Sequence, residues 1–369
     1  MGRAPRVEIL DPLRGVAALS VAWYHFAFAS SVVKTPWLSV SGKYGFLGVE
    51  IFFVISGFII PYSMYVGGYR FAHFGKFFAK RLIRLEPPYV ASIVVAIAIA
   101  FLAAAAPGYS GVRPHFTTAQ LLLHLGYLNT FFGYEWVNPV YWTLGIEFQF
   151  YLFAALIYPL VASRSASARA LSMVAMGTLA VLVKTPMLVS HYFGLFGLGM
   201  LAFHYHAGLL RRAVVPAVLL MGIATALSLG MAVSLAGVAT ALVIIFVRMP
   251  HGWWTRVLIF LGGISYSIYL LHVPIGSRIV NLGARRAGGT VSEIVLLAVA
   301  LGASILVAMA FNWLVERPSQ RASGRIKYLT GQQSPTSVEQ VDGAAGGFAG
   351  SSKPAEWDGF ASVPTHDPR

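Results

Sequence analysis

Apolar stretches long enough to cross a bilayer follow one another along most of this chain, and that repetition leaves few folds open. A helix crosses the hydrocarbon core with about 20 mainly apolar residues. Ten such stretches can be drawn, at 10–31, 44–66, 87–106, 139–161, 168–185, 191–208, 213–230, 232–249, 257–280 and 292–315. Soluble domains carry about a quarter charged residues, whereas here only 11% are charged and 57% are hydrophobic. The expected fold is therefore all-α, a polytopic transmembrane bundle of about ten helices. The fifth to eighth stretches are short and crowded, so their boundaries are the least defined. The segment 119–132 is apolar but too short to span, and is expected to lie at the interface or re-enter. The first stretch contains Arg14 and His25 and no small-residue cleavage site follows it, so it reads as a retained span rather than a signal peptide.

The net charge of +14 fits the bias of Lys and Arg toward cytoplasmic loops. With the N-terminus inside, Lys76, Lys80, Arg81, Arg84, Arg211, Arg212, Arg317 and Arg321 fall on the cytoplasmic side, and fewer cations, among them Lys34, Arg113 and Arg278, fall outside. Both termini are then cytoplasmic, and the expected location is a bacterial-type inner (plasma) membrane. Nucleic acid is not an expected partner, because no basic stripe with interleaved aromatics sits on a polar domain. The chain has no cysteine, which excludes disulfides, thiolate metal sites and cysteine nucleophiles. No helix shows two histidines at metal spacing with a carboxylate, so no metal is expected. A transmembrane domain at 1–318 precedes a cytoplasmic tail at 319–369. From 334 onward the tail is rich in Gly, Ser, Pro and Ala without apolar period, and is expected to be largely disordered.

Ionisable groups inside the bilayer cost about 2.5–3.5 kcal/mol each on insertion scales, so each needs a reason. Arg14 and His25 lie eleven residues apart in the first span. That is close to three turns, on one face, with an axial separation of about 16 Å. Glu50, Glu147, His25 and His272 each fall about 9–12 Å below the outer end of their own span. Two carboxylates and two histidines from four helices thus share one predicted layer, which argues for a common polar cavity. Structural hydrogen bonds between helices are the alternative for each of them. For His272 the alternatives are a core hydrogen bond and a contact with a substrate.

A second cluster lies on the cytoplasmic side. Arg81 and Arg84 are three residues apart and share a helix face, so they can grip a phosphate. Anionic lipid or a topology signal would also account for Lys76, Lys80, Arg81 and Arg84. Arg14 lies on the same side. A phosphorylated ligand held there could extend a thin, pantetheine-like arm toward His25.

Four segments resemble the acyltransferase-3 family of membrane acyltransferases. They are LDPLRGVAALSVAWYHF, with Arg14 and His25; GFLGVEIFFVISGFII, with Glu50, Ser56 and Gly57; KRLIRLEPPYV, with Arg81 and Arg84; and NPVYWTLGIEFQFYLF, with Trp142 and Glu147. GGISYSIYLLHVPI and FNWLVERP resemble the closing helices of that family, and the match runs in order from Leu10 to Pro318. The stretch 165–250 carries no signature.

The resemblance implies transfer of an acyl group, usually acetyl, from acetyl-CoA or another acyl-CoA to a hydroxyl of a carbohydrate or glycan acceptor. On that reading His25 is the candidate general base or acyl carrier. Glu147, with Glu50 second, is the carboxylate that supports it. Arg14, Arg81 and Arg84 bind the donor phosphates. Trp142 and Tyr151 read as interfacial or packing aromatics, with stacking on a sugar the alternative for Trp142, and His272 is the candidate contact to the acceptor. Ser56 and Gly57 are expected to allow close helix packing. A transporter or flippase of a lipid-linked saccharide is the main alternative, since a polar cavity across the membrane would look the same by depth. The Arg81 and Arg84 pair favours the enzyme. A non-catalytic membrane scaffold would leave His25 and Glu147 unexplained.

Overall fold

The computed structural model describes residues 7–106, 112–249, 252–283 and 288–328. Among them all regular structure is helical. In chain order the helices are α1 (Leu10–Trp23), α2 (Pro36–Ser41), α3 (Leu47–Val66), α4 (Phe74–Ala104), α5 (Thr118–His124), α6 (Trp142–Val161), α7 (Ala166–Leu182) and α8 (Phe193–His206). They continue as α9 (Val214–Leu229), α10 (Met231–Phe246), α11 (Trp253–Gly263), α12 (Ser265–Leu271), α13 (Arg278–Gly283), α14 (Thr290–Phe311) and α15 (Arg317–Gly324).

This is a multi-pass membrane architecture. Large apolar side chains face outward, as with Leu102 at 71%, Leu182 at 70% and Leu306 at 67% exposed, where water would penalise them and lipid does not. Among the described residues four helical segments are long and apolar enough to cross a membrane: Leu47–Val66, Phe71–Ala104, Pro139–Val161 and Thr290–Gly324. The pair Trp253–Gly263 and Ser265–Gly283, bent by 55°, makes a fifth if it is one span. The other expected stretches coincide with shorter helices, among them α7, α9 and α10 at 16–17 residues. Among the described residues, helix length alone therefore accounts for four or five of the ten expected spans.

Small residues set the packing. A Cβ on Gly57 of α3 would collide with the carbonyl oxygen of Phe196, and one on Gly199 of α8 with that of Val54. The two backbones thus approach as closely as glycine permits. α8 is buried over almost its whole length. A Cβ on Gly262 of α11 would meet the Asp11 carbonyl in the same way, pressing α11 onto α1.

Three helices contain a π-helical segment: Tyr24–Phe28 after α1, His272–Ser277 after α12 and Asn312–Glu316 after α14. Such segments recur at functional sites. The helix expected at 87–106 begins at Phe74, so Arg81 and Arg84 lie on α4 itself, ahead of Pro87 and Pro88. Their charge lowers the local apolar signal, which is why sequence placed the start too late. The segment 119–132 forms α5 and a 3-10 turn at Asn129–Phe132. α15 carries the ordered region past residue 318 and packs against α4. The remainder of the expected tail, 329–369, lies outside the described residues.

Candidate active site

A cavity of about 280 Å³ lies between α1, α3, α4, α6, α11, α12 and the segment around Glu316. Its wall carries Arg14, Arg81 and Arg84, and also Asp11, Glu147 and Glu316. The three cationic positions proposed from sequence therefore converge on one space.

The carboxylates Glu147 and Glu316 are held by neutral donors. Glu147 Oε1 accepts from Ser56 Oγ at 2.9 Å and from Tyr151 Oη at 2.5 Å. Glu316 accepts from Ser267 Oγ at 2.5 Å, Asn312 Nδ2 at 2.8 Å and Gln320 Nε2 at 2.8 Å. The guanidiniums are less satisfied. Arg81 donates to Ser63 Oγ at 3.0 Å and lies 5.5 Å from the ring centroid of Tyr151. Arg14 Nε is buried without a hydrogen-bond partner. Arg84 is crowded by the like charges of its neighbours Arg14 and Arg81, with Glu316 the carboxylate that offsets them. The wall thus sets three guanidiniums beside the carboxyl groups of Asp11, Glu147 and Glu316.

His25 and His272 do not line this cavity but meet each other. His25 Nδ1 is 2.9 Å from the Val21 carbonyl oxygen and 3.3 Å from His272 Nε2. His272 is completely buried, and its Nδ1 is 3.0 Å from the Ile268 carbonyl oxygen. Both of its ring nitrogens are thus engaged within the protein. Tyr269 connects the two regions: it lines the arginine cavity, and its ring centroid is 5.9 Å from that of His272. Its hydroxyl lies 2.6 Å from Thr143 Oγ1 and donates to the Val140 carbonyl at 3.1 Å.

The single layer expected for His25, His272, Glu50 and Glu147 is therefore divided. Glu147 faces the arginines through Ser56 and Tyr151, and no hydrogen bond joins it to His25. Glu50 Oε2 is buried without a partner, while its neighbours Val49, Phe52 and Phe53 line the cavity and Glu50 does not. Depth along a helix locates a residue along the membrane normal and says nothing of its azimuth, which is why four equal depths did not make one cluster.

Trp142 lines a different space of about 430 Å³, together with Tyr127, Trp136, Gln149 and Tyr192. Its ring is 5.9 Å from that of Tyr192. Sequence reasoning missed Glu316 and the bridging Tyr269, and took Tyr151 for an interfacial or packing aromatic. The signal for Glu316 was present: a carboxylate four residues after Asn312, at the end of an apolar run. Among the described residues no group of three or more His, Asp or Glu is placed to hold a metal ion.

A family model described as an acyltransferase domain matches residues 7–313. The chain belongs to the acyltransferase-3 family. Two curated relatives are similar to this acyltransferase. It is 26% identical over 389 residues to acyltransferase MdmB of Streptomyces mycarofaciens, covering 91% of this chain and 97% of that protein. It is 31% identical over 148 residues to a candidate acetyltransferase, ORF330, of Acidianus two-tailed virus, a stretch spanning 40% of each chain. No solved structure matches.

Proposed function

We propose that this acyltransferase takes an acyl group, acetyl in the first instance, from acyl-CoA at the cytoplasmic face and places it on a hydroxyl of a carbohydrate or glycan acceptor. The single observation that carries the reading is the crowding of three guanidiniums on one cavity wall: Arg14 Nε is buried without a hydrogen-bond partner, and Arg84 stands beside both Arg14 and Arg81. Coenzyme A supplies phosphates for those guanidiniums. The cavity, at about 280 Å³, is small for a whole nucleotide cofactor, since ligand pockets run about 300–1,000 Å³. It suits the narrow pantetheine arm, with the nucleotide at the cytoplasmic mouth.

The arm would pass Tyr269 to reach His25. His25 Nε2 has no hydrogen-bond partner among the described residues and is the proposed general base. It takes the proton of the acceptor hydroxyl as that oxygen attacks the thioester carbonyl. The carbon–sulfur bond breaks, and the proton returns from the imidazolium to the leaving thiolate. Glu147, held by Ser56 and Tyr151, keeps the arginine wall in place rather than orienting His25. Glu50 is the remaining carboxylate near the path. The cavity with Trp142, Trp136, Tyr127 and Tyr192 suits a sugar ring, which stacks on aromatic faces while Gln149 supplies polar contacts.

This reading includes a bacterial-type plasma membrane, both termini cytoplasmic and ten passes, with the shorter helices completing the bundle. The test is transfer by the purified protein in proteoliposomes, with radiolabelled acetyl-CoA outside and mixed oligosaccharides on both sides. Label on a hydroxyl-bearing acceptor is expected. Saccharide movement across the bilayer with no label transferred would replace the enzyme by a transporter.

A further inference from the structure

The contact between His25 and His272 has a protonation pattern that its surroundings dictate. A carbonyl oxygen accepts and never donates. The Val21 carbonyl, 2.9 Å from His25 Nδ1, therefore requires the hydrogen to sit on that nitrogen. The Ile268 carbonyl, 3.0 Å from His272 Nδ1, requires the same of His272. A neutral imidazole carries one such hydrogen. His272 Nε2 is then a bare lone pair, and it faces His25 Nδ1 at 3.3 Å. The reverse arrangement, with His272 Nε2 donating, would turn a bare His25 Nδ1 toward the Val21 carbonyl, lone pair against lone pair. The His25 hydrogen is thus shared between a carbonyl and a neutral imidazole, and His25 Nε2 is the basic nitrogen.

Both histidines stand in π-helical segments, His25 in Tyr24–Phe28 and His272 at the head of His272–Ser277. Each segment departs from the α-helical repeat where the two rings meet. Among the described residues neither imidazole hydrogen-bonds to a carboxylate.

We infer that His272 is a positioning residue for the acyl-transfer base, occupying the place that a carboxylate holds in a hydrolase triad. This rests on the reading of His25 as the base. His272 Nε2, together with the Val21 carbonyl, keeps the hydrogen on His25 Nδ1 and aims Nε2 at the acceptor. When Nε2 takes the hydroxyl proton, the hydrogen on Nδ1 stays where it is, and its bond to His272 becomes charge-assisted and stronger. The stabilisation is therefore larger in the transition state than before it, which is what raises turnover. A neutral acceptor also avoids a permanent carboxylate in the hydrocarbon region, where a charge is expensive. No proton passes to His272.

Two substitutions separate position from structure. His272→Leu removes the acceptor at similar volume. His272→Gln keeps an oxygen near the position of Nε2. The expected result is a fall in kcat of about 100-fold for His272→Leu with the KM for acetyl-CoA unchanged, and recovery of most of that loss in His272→Gln. Nitrogen-15 spectra of histidine-labelled protein in nanodiscs, assigned by difference with His25→Gln, should show His25 protonated at Nδ1 and bare at Nε2. Wild-type kcat in His272→Leu, equal loss in both variants, or a His25 protonated at Nε2 would overturn the proposal. Full turnover in His25→Gln would instead overturn the base assignment beneath it, and the spectra read the hydrogen-bond pattern without reference to turnover.

Discussion

Replacing Arg84 by glutamine isolates the arginine wall. Arg84 lines the cavity with Arg14 and Arg81, whose like charges crowd it. Its substitution breaks no direct hydrogen bond to a described residue, and it removes repulsion from Arg14 and Arg81 along with attraction to Glu316. A hydrogen bond to a charged group contributes about 1.5–3 kcal/mol, and each 1.4 kcal/mol is about tenfold in binding. Loss of one such bond to a donor phosphate should raise the KM for acetyl-CoA about 10- to 100-fold, with kcat little changed. Acetyl-pantetheine, which lacks the nucleotide phosphates, should show the same KM with either protein. Initial rates in proteoliposomes over a donor series measure both. Thermal unfolding in detergent supplies the control: without donor the variant should melt no lower than wild type, because a cation crowded by Arg14 and Arg81 has been removed from a low-dielectric site. An unchanged KM with a reduced kcat would refute the phosphate contact. A large drop in melting temperature would show that Arg84 is a structural member of the bundle.

Three further outcomes follow from the same geometry. His25→Gln should lower kcat about 10²- to 10⁴-fold, the range of a general base, while the protein remains monodisperse in detergent; stopped assays with labelled acetyl-CoA read it. Trp142→Ala should raise the KM for the carbohydrate acceptor and leave that for acetyl-CoA unaltered, with a stacked base or ring contact worth about 1–3 kcal/mol as the reference scale. His124, on α5 outside the spans, has its pKa drawn below 6.5 chiefly by burial, with the hydrogen bond to the Gln120 carbonyl opposing the shift. Its Nε2 accepts from the Val137 N–H at 3.1 Å, a bond that protonation destroys. The unfolded chain takes up the proton first, so the stabilisation is present above pH 6.5 and declines as pH falls below it. Melting temperatures at neutral and acidic pH should show that decline, and His124→Gln should flatten it.

Much of the cationic side was legible in the sequence because its spacing is local. Arg81 and Arg84 at three residues apart share a face on any helix, and Arg14, for which snorkelling to the membrane surface was the alternative, lines the same cavity. The apolar runs likewise located the helices, since α3 and α6 are apolar throughout. What the sequence concealed is azimuth and helix irregularity. No periodicity in the sequence marks the π-helical segments Tyr24–Phe28 and His272–Ser277, in which His25 meets His272. Glu147 shares its depth with His25 yet faces Ser56 and Tyr151. The early start of α4 at Phe74 was masked by the charges that give that helix its role. The Glu316 network joins Ser267 to Asn312 and Gln320 across helices far apart in the chain, and no one-dimensional pattern reports such a pairing.

An electron cryomicroscopy structure of the protein in nanodiscs with a non-transferable thioether analogue of acetyl-CoA tests the central claim most directly. The account predicts phosphates on Arg14 and Arg84 and the arm threading past a displaced Tyr269, with its sulfur facing Nε2 of His25. Phosphates bound away from those guanidiniums, or an arm that ends in the arginine cavity with Tyr269 closed and His25 out of reach, would contradict it.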